Sequence, residues 1–210
     1  MEPDTLLNMK PDGRALRAER TREAIVEAHL ALLDEGHLRM SAARIATRAG
    51  VSVRALWLHF KDMETLYAAA NARLIERQQA EYSPIPTDLA LPQRIEAFCR
   101  QRTRMLEIIA PAARAAHLWQ PYSPQLKRNR AMQIGRVRDE IAELFAPELR
   151  AAGAGRDRLL HAILVAATFS AWQMARDELG LGADAARDIM VHTITGLLVT
   201  TLAGFSTPAM

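Results

Sequence analysis

Two short apolar runs, separated only by Gly50-Val51-Ser52, constrain this chain more than anything else in it. The first opens at Ser41, whose hydroxyl can accept a backbone N–H and cap a helix. It carries Ile45, Ala46 and Ala49 and stops at Gly50, the residue that turns most easily into positive φ. Ser52 can cap the second run, which carries Val53, Leu56, Trp57 and Phe60. Two helices this short, joined by so tight a turn, predict a helix-turn-helix whose second helix is free to enter a groove. A longer helix is expected before them from Arg14, with Ile25, Ala28, His29, Leu32 and Leu33 on one face and Gly36 ending it. A fourth, over 63–80, is capped by Asp62 and carries Met63, Leu66, Tyr67, Ala70 and Leu74 on one face.

Charge points the same way. The net charge of +3 is modest, but from His37 to Lys61 there are five basic residues (Arg39, Arg44, Arg48, Arg54, Lys61) and no acidic one. A stretch of that kind suits a polyanion surface. The single cysteine, Cys99, excludes an intramolecular disulfide and suggests a reducing compartment, so a cytoplasmic protein is expected. The N-terminal residues MEPDTLLNMKPDG lack the pattern of a signal peptide, and 1–13 read as a mobile arm. Leu159 to Ala175 is an uncharged apolar stretch shorter than the roughly 20 residues of a membrane span. No membrane partner is expected.

Half the residues are hydrophobic and helix formers dominate, so an all-α chain of about nine helices is predicted. The three prolines of EYSPIPTDLALP, residues 81–92, mark the clearest break. Beyond it, helices are expected at about 92–109, 112–119, 124–145, 156–179 and 184–203. The resulting division is a helix-turn-helix domain at 14–61, a connecting helix at 62–80 and a body at 81–210.

The stretch TREAIVEAHLALLDEGHLRMSAARIATRAGVSVRALWLHFKDMETLYAAA, residues 21–70, resembles the DNA-binding domain of the TetR family of repressors. The likeness lies in Gly36, Ile45-Ala46, Ala49-Gly50-Val51-Ser52, Leu56-Trp57, Phe60-Lys61 and Leu66, in register without a gap. The resemblance implies that Ser41, His59 and Lys61 touch phosphates, and that Trp57 stands where the family commonly has a tyrosine on the DNA backbone. Ser52 would cap the recognition helix with its free N–H groups toward a phosphate. Arg54 suits direct reading of guanine O6 and N7, and Val53 could pack on a thymine methyl. Arg44 joins this set, one residue beyond the position where some members read a base; that position is Ala43 here. Leu58 is a second departure, so the operator sequence is not implied.

The resemblance further implies an effector-binding and dimerisation body. The near-uniform apolarity of 159–175 and the broad apolar face of Ile189, Met190, Ile194, Leu197 and Leu198 predict a homodimer through the last two helices. Phe98, Met105, Trp119, Met132, Phe169 and Trp172 are candidates for a pocket lining, with Arg104, His117 and Gln173 as polar handles. No cofactor is called for: the six histidines lack metal-ligand spacing and Cys99 has no His or Cys nearby. No nucleophile–base pair or phosphate loop appears, so an enzyme is not expected. The expected function is a repressor that leaves a palindromic double-stranded operator when a small, mainly apolar effector binds. An activator of the same fold, or a dimeric small-molecule binder without DNA binding, are the alternatives.

Overall fold

Serine, aspartate and glycine punctuate the first third of the chain where local chemistry places them, and three helices gather behind one another there. The structure, a computed structural model, describes residues 13–204; of the arm expected over 1–13, residues 1–12 lie outside the described residues and Gly13 opens α1. Helix α1 (Gly13–Asp34) ends at Gly36, whose φ of 83° is open only to a residue without Cβ strain. Helix α2 (Ala42–Arg48) and α3 (Val53–His59) follow, then α4 (Met63–Glu81), whose cap Asp62 accepts from Thr65 N at 2.8 Å. Thr65 Oγ1 reciprocates by accepting from Asp62 N, so both orphan donors at this end are satisfied.

The body follows as α5 (Leu91–Trp119), α6 (Pro124–Leu144), α7 (Ala146–Ala151), α8 (Arg156–Ala166), α9 (Phe169–Gln173) and α10 (Ala183–Leu202). Among the described residues all regular structure is helical, in ten α-helices rather than about nine. The differences have identifiable causes.

Residues 91–119 form one helix through Pro111, where two were expected. Proline forfeits one hydrogen bond and crowds the preceding turn. Both halves are nonetheless held: Ile95, Phe98, Cys99 and Leu106 sit in the body core, while Ile108, Ala112 and Ala115 pack against the head. Pro147 stands in the first turn of α7, where a missing N–H costs nothing.

The helix expected over 156–179 breaks at Ala167-Thr168. Thr168 caps α9 by accepting from Ala171 N, and the Ala167 carbonyl accepts from Arg102 Nε at 2.8 Å. Beyond α9 the chain widens into a π-turn over Met174–Glu178.

Two hydrophobic cores result. One joins Ile25, Leu30, Leu33, Ile45, Leu56, Phe60 and Leu66 of the head. The other gathers α5 to α10 around Phe98, Phe145, Ile163, Trp172 and Ile194. Polar bonds tie the two units. Gln125 N donates to Glu64 Oε2 at 2.8 Å, Asn129 Nδ2 to the Tyr67 carbonyl at 3.3 Å, and Gln78 Nε2 to the Met105 carbonyl at 3.2 Å.

A candidate nucleic-acid face and the cavity behind it

Helix α3 is aimed outward by what lies beneath it. Ile45, Leu56 and Phe60 are buried against α1, and Arg22 lies 4.7 Å above the Phe60 ring. Ser41 Oγ accepts from Arg44 N at 3.2 Å and Ser52 Oγ from Ala55 N at 3.1 Å, so both serines cap as expected. Between the helices Gly50 adopts φ 69°, and Val51 N donates to the Ala46 carbonyl at 3.0 Å.

The orientation leaves Ser52, Val53, Arg54, Trp57 and Leu58 exposed and His59 half-buried. Trp57 is 40% exposed, so it is a surface side chain rather than an anchor of the head core. Leu58 is 79% exposed, adding an apolar element beside Val53 and Trp57 that the sequence reading noted only as a departure. The basic residues divide. Arg48 pairs with Glu35 at 2.6 Å, and Arg44 Nη1 lies 3.4 Å from His37 Nδ1. Arg39, Arg54 and Lys61 are exposed and make no ion pair among the described residues. An outward helix with unneutralised cations at its start and just past its end can meet a polyanion.

Behind this face lies a cavity of about 150 Å³, walled by both units. His117, Trp119 and Phe169 line it. Gln173 stands behind His117, its Oε1 3.0 Å from Nδ1. Arg130 Nη1 lies 3.2 Å from His117 Nε2, and because guanidinium only donates, that nitrogen must accept. The network therefore assigns the ring proton to Nδ1, donating to Gln173.

The other candidates lie elsewhere. Phe98 packs edge-on to Phe145 with centroids 5.7 Å apart, Met105 is buried under α4, and Trp172 donates from Nε1 to Glu107 Oε1 at 2.9 Å. Arg104 and Met132 are exposed and away from the wall. A pocket confined to the middle helices leaves out His29, Leu30, Leu38 and Tyr67 from the head. Arg102, Asn129 and Arg130 do lie on middle helices, but they carry no signal in the sequence that sets them apart from solvated polar residues. The apolar face that carries His29 was visible; that it fronts a cavity was not. Trp119 reaches farthest, its Nε1 donating to the Leu38 carbonyl between α1 and α2 at 3.2 Å.

His29 is 4% exposed, beside Tyr67 with centroids 5.9 Å apart, and its Nδ1 has no hydrogen-bond partner among the described residues. Burial holds its pKa down at about 4, from 6.5. Between those values the unfolded chain binds the proton that the folded chain refuses, so stability falls as pH drops from 6.5 toward 4. Urea unfolding at pH 5 is expected to cost the native protein ~2 kcal/mol more, relative to pH 8, than it costs His29→Leu. Comparing the two proteins removes the contribution of Glu140, whose buried carboxyl is pushed upward instead. Equal losses in both would show that His29 does not titrate this way.

Among the described residues no cluster of His, Cys, Asp and Glu could hold a metal, and no helix is long and apolar enough to cross a membrane. Cys99 is fully buried and its thiol is pushed up to about 12 by that burial, so it stays protonated at neutral pH.

Residues 25–70 match the family described as bacterial regulatory proteins, tetR family. HTH-type transcriptional regulators of Mycobacterium tuberculosis and Mycobacterium bovis are 38% identical over 36% of this chain, which thereby spans 42% of their length. Two solved structures share the fold along nearly the whole chain. A transcriptional regulator from Rhodococcus sp. Rha1 superposes with TM-score 0.61 at 20% identity, covering 91% of this chain and 99% of its own. A TetR-like transcriptional regulator from the same source gives 0.53 at 22% identity, covering 91% and 98%.

Proposed function

We propose that this chain, whose residues 25–70 match the tetR family of bacterial regulatory proteins, is a DNA-binding regulator of that kind rather than an enzyme, and that it acts as a ligand-responsive repressor. It works as a homodimer in the cytoplasm and leaves a palindromic operator when a small, mainly apolar effector binds. The observation that carries the reading is the exposed, unneutralised pair Arg54 and Lys61 on a helix whose inner face is locked into the core. The division into 14–61, 62–80 and 81–210 belongs to the same proposal.

On DNA, α3 lies in the major groove, with Arg54 on a guanine edge and Val53 on a thymine methyl. Ser41, Arg44, Ser52, Trp57, His59 and Lys61 face the backbone around it. Two such helices meet successive major grooves roughly 34–36 Å apart. The dimer forms through α8 to α10, where Val165, Ile189, Val199 and Leu202 are exposed apolar side chains on a single chain.

An effector in the cavity acts by binding one arrangement of head and body better than the other. Helix α4 carries the change, since its residues Glu64, Tyr67 and Gln78 are bonded to the body. The Trp119–Leu38 bond adds a second route, from the cavity wall to the loop that precedes α2.

Arg54→Ala should cost about 1–3 kcal/mol on the preferred operator and relax specificity at one base pair. Lys61→Ala should instead weaken all DNA alike and lower the salt dependence by about one counterion. Selection of bound fragments from genomic DNA supplies the operator, and fluorescence titration at several salt concentrations reads both effects. Unchanged DNA affinity in both variants would remove this face from the contact. Fragment selection that recovers no DNA would favour the alternative of a dimeric small-molecule binder. Reporter expression in cells, up or down on deletion, separates repressor from activator.

A further inference from the structure

The cavity between head and body carries positive charge that its walls do not balance, and we propose that it takes a small organic acid, with an apolar part of about one ring's volume and a carboxylate held by Arg102. This rests on the effector reading above and names the class of molecule.

Size comes first. An apolar cavity of about 150 Å³ is of the order that accepts benzene, so the space here suits one ring or a short alkyl chain. Leu30, Leu33, Ile109, Val137 and Phe169 make most of the wall apolar. Among the described residues no Asp or Glu lines it, whereas Arg102 and Arg130 both do.

Arg102 is 7% exposed. Its Nε is used by the Ala167 carbonyl, but its two Nη groups make no hydrogen bond among the described residues. Unlike the orphaned Nδ1 of His29 they are not sealed in, and Arg102 is one of the residues that line the cavity. Glu140 acts on the guanidinium through space but stands beyond ion-pair distance, and it accepts from Gln101 Nε2 at 2.9 Å.

The molecule supplies its own comparison. Arg94, buried to the same degree, has Glu148 across both Nη groups. A buried cation with a carboxylate is the ordinary arrangement, because an unpaired one costs far more. Arg102 has the burial without the carboxylate. Its planar fork matches one donated by a ligand. Arg130 adds a second positive charge on the wall, held by Ser170 Oγ and His117 at 3.2 Å each.

The test uses the full chain and matched pairs: benzoate and benzamide, phenylacetate and phenylacetamide, hexanoate and hexanamide. Binding is followed by calorimetry and by the fluorescence of Trp119, which lines the cavity. At least one acid should bind tenfold or more tighter than its amide. Arg102→Gln should lose that tenfold preference while keeping affinity for the amide within about twofold. Amides that bind as tightly as their acids in every pair overturn the proposal and leave the effector reading standing. Failure of every acid and amide in the set also overturns it; operator binding, measured alongside, reports whether the regulator reading survives. Should Arg102→Gln not fold, the acid-to-amide ratio in the unaltered protein decides, with Arg130→Gln as the second variant.

Discussion

Glu148→Ala is expected to destabilise the protein by about 3–5 kcal/mol, because it strands a guanidinium where water cannot follow. Arg94 donates from Nη1 to Glu148 Oε2 at 2.9 Å and from Nη2 to Oε1. Nη1 also reaches the Leu144 carbonyl at 2.7 Å and Nε the Leu89 carbonyl at 3.0 Å. One side chain thereby closes the end of α6, the start of α7 and the turn before α5. Both partners are under a tenth exposed, so solvent screening is slight.

The charged pair itself need not be stabilising: removing both charges as Arg94→Met with Glu148→Leu should recover most of the loss. Burial would raise the Glu148 carboxyl, but the Arg94 hydrogen bond and charge outweigh it and hold the group below 4.5. A depressed carboxylate stabilises above its unfolded pKa, and that stability drains away as pH falls through the folded value. Urea unfolding at neutral pH and near pH 3 checks both statements. A loss below about 1 kcal/mol for Glu148→Ala would mean the pair is solvated after all.

That pair was invisible in the sequence, and the reason is distance along the chain: 54 residues separate its members. What could be read was local. Ser41, Ser52 and Asp62 cap helices because the groups they satisfy lie three residues away, and Gly36 and Gly50 mark positive φ that depends only on their own backbone. The outward set on α3 followed from helical period once Leu56 and Phe60 were taken as inward. The break at Ala167 could not be anticipated, since its carbonyl is satisfied by a guanidinium 65 residues earlier. Continuity through Pro111 likewise depends on two separate cores gripping the two halves of α5.

The cavity was the least legible feature. Phe98 and Trp172 in the core look no different in sequence from Phe169 and Trp119 on the wall, because volume and hydrophobicity serve both roles. The presence of His29, Leu30 and Tyr67 on the wall and the reach of Trp119 toward Leu38 show that the wall crosses from body to head.

Phe60→Ala should be the most damaging single change to DNA binding that touches no DNA. Phe60 is 1% exposed, immediately after α3, and its N–H closes that helix on the Leu56 carbonyl at 2.9 Å. Its ring fills the space between α1 and α3 beneath the Arg22 guanidinium. Truncation leaves a hole that a head of short helices cannot collapse into, at a cost of about 3–5 kcal/mol. The body core meets the head through Ile108, Ala112 and Ala115 of α5 and through the bonds of α4, but its own buried residues lie apart from Phe60, so it should keep its packing. The expected result is loss of operator binding, with Trp57 fluorescence moving toward that of free indole and Trp172, packed in the body core, unchanged. Substituting the other two tryptophans in turn by phenylalanine assigns the signals. Phe60→Leu, which restores most of the volume, should cost about 1 kcal/mol and retain DNA binding. Were Phe60→Ala to bind operator as the native protein does, α3 would not depend on this contact for its aim, and the locked inner face could no longer explain the exposed outer one.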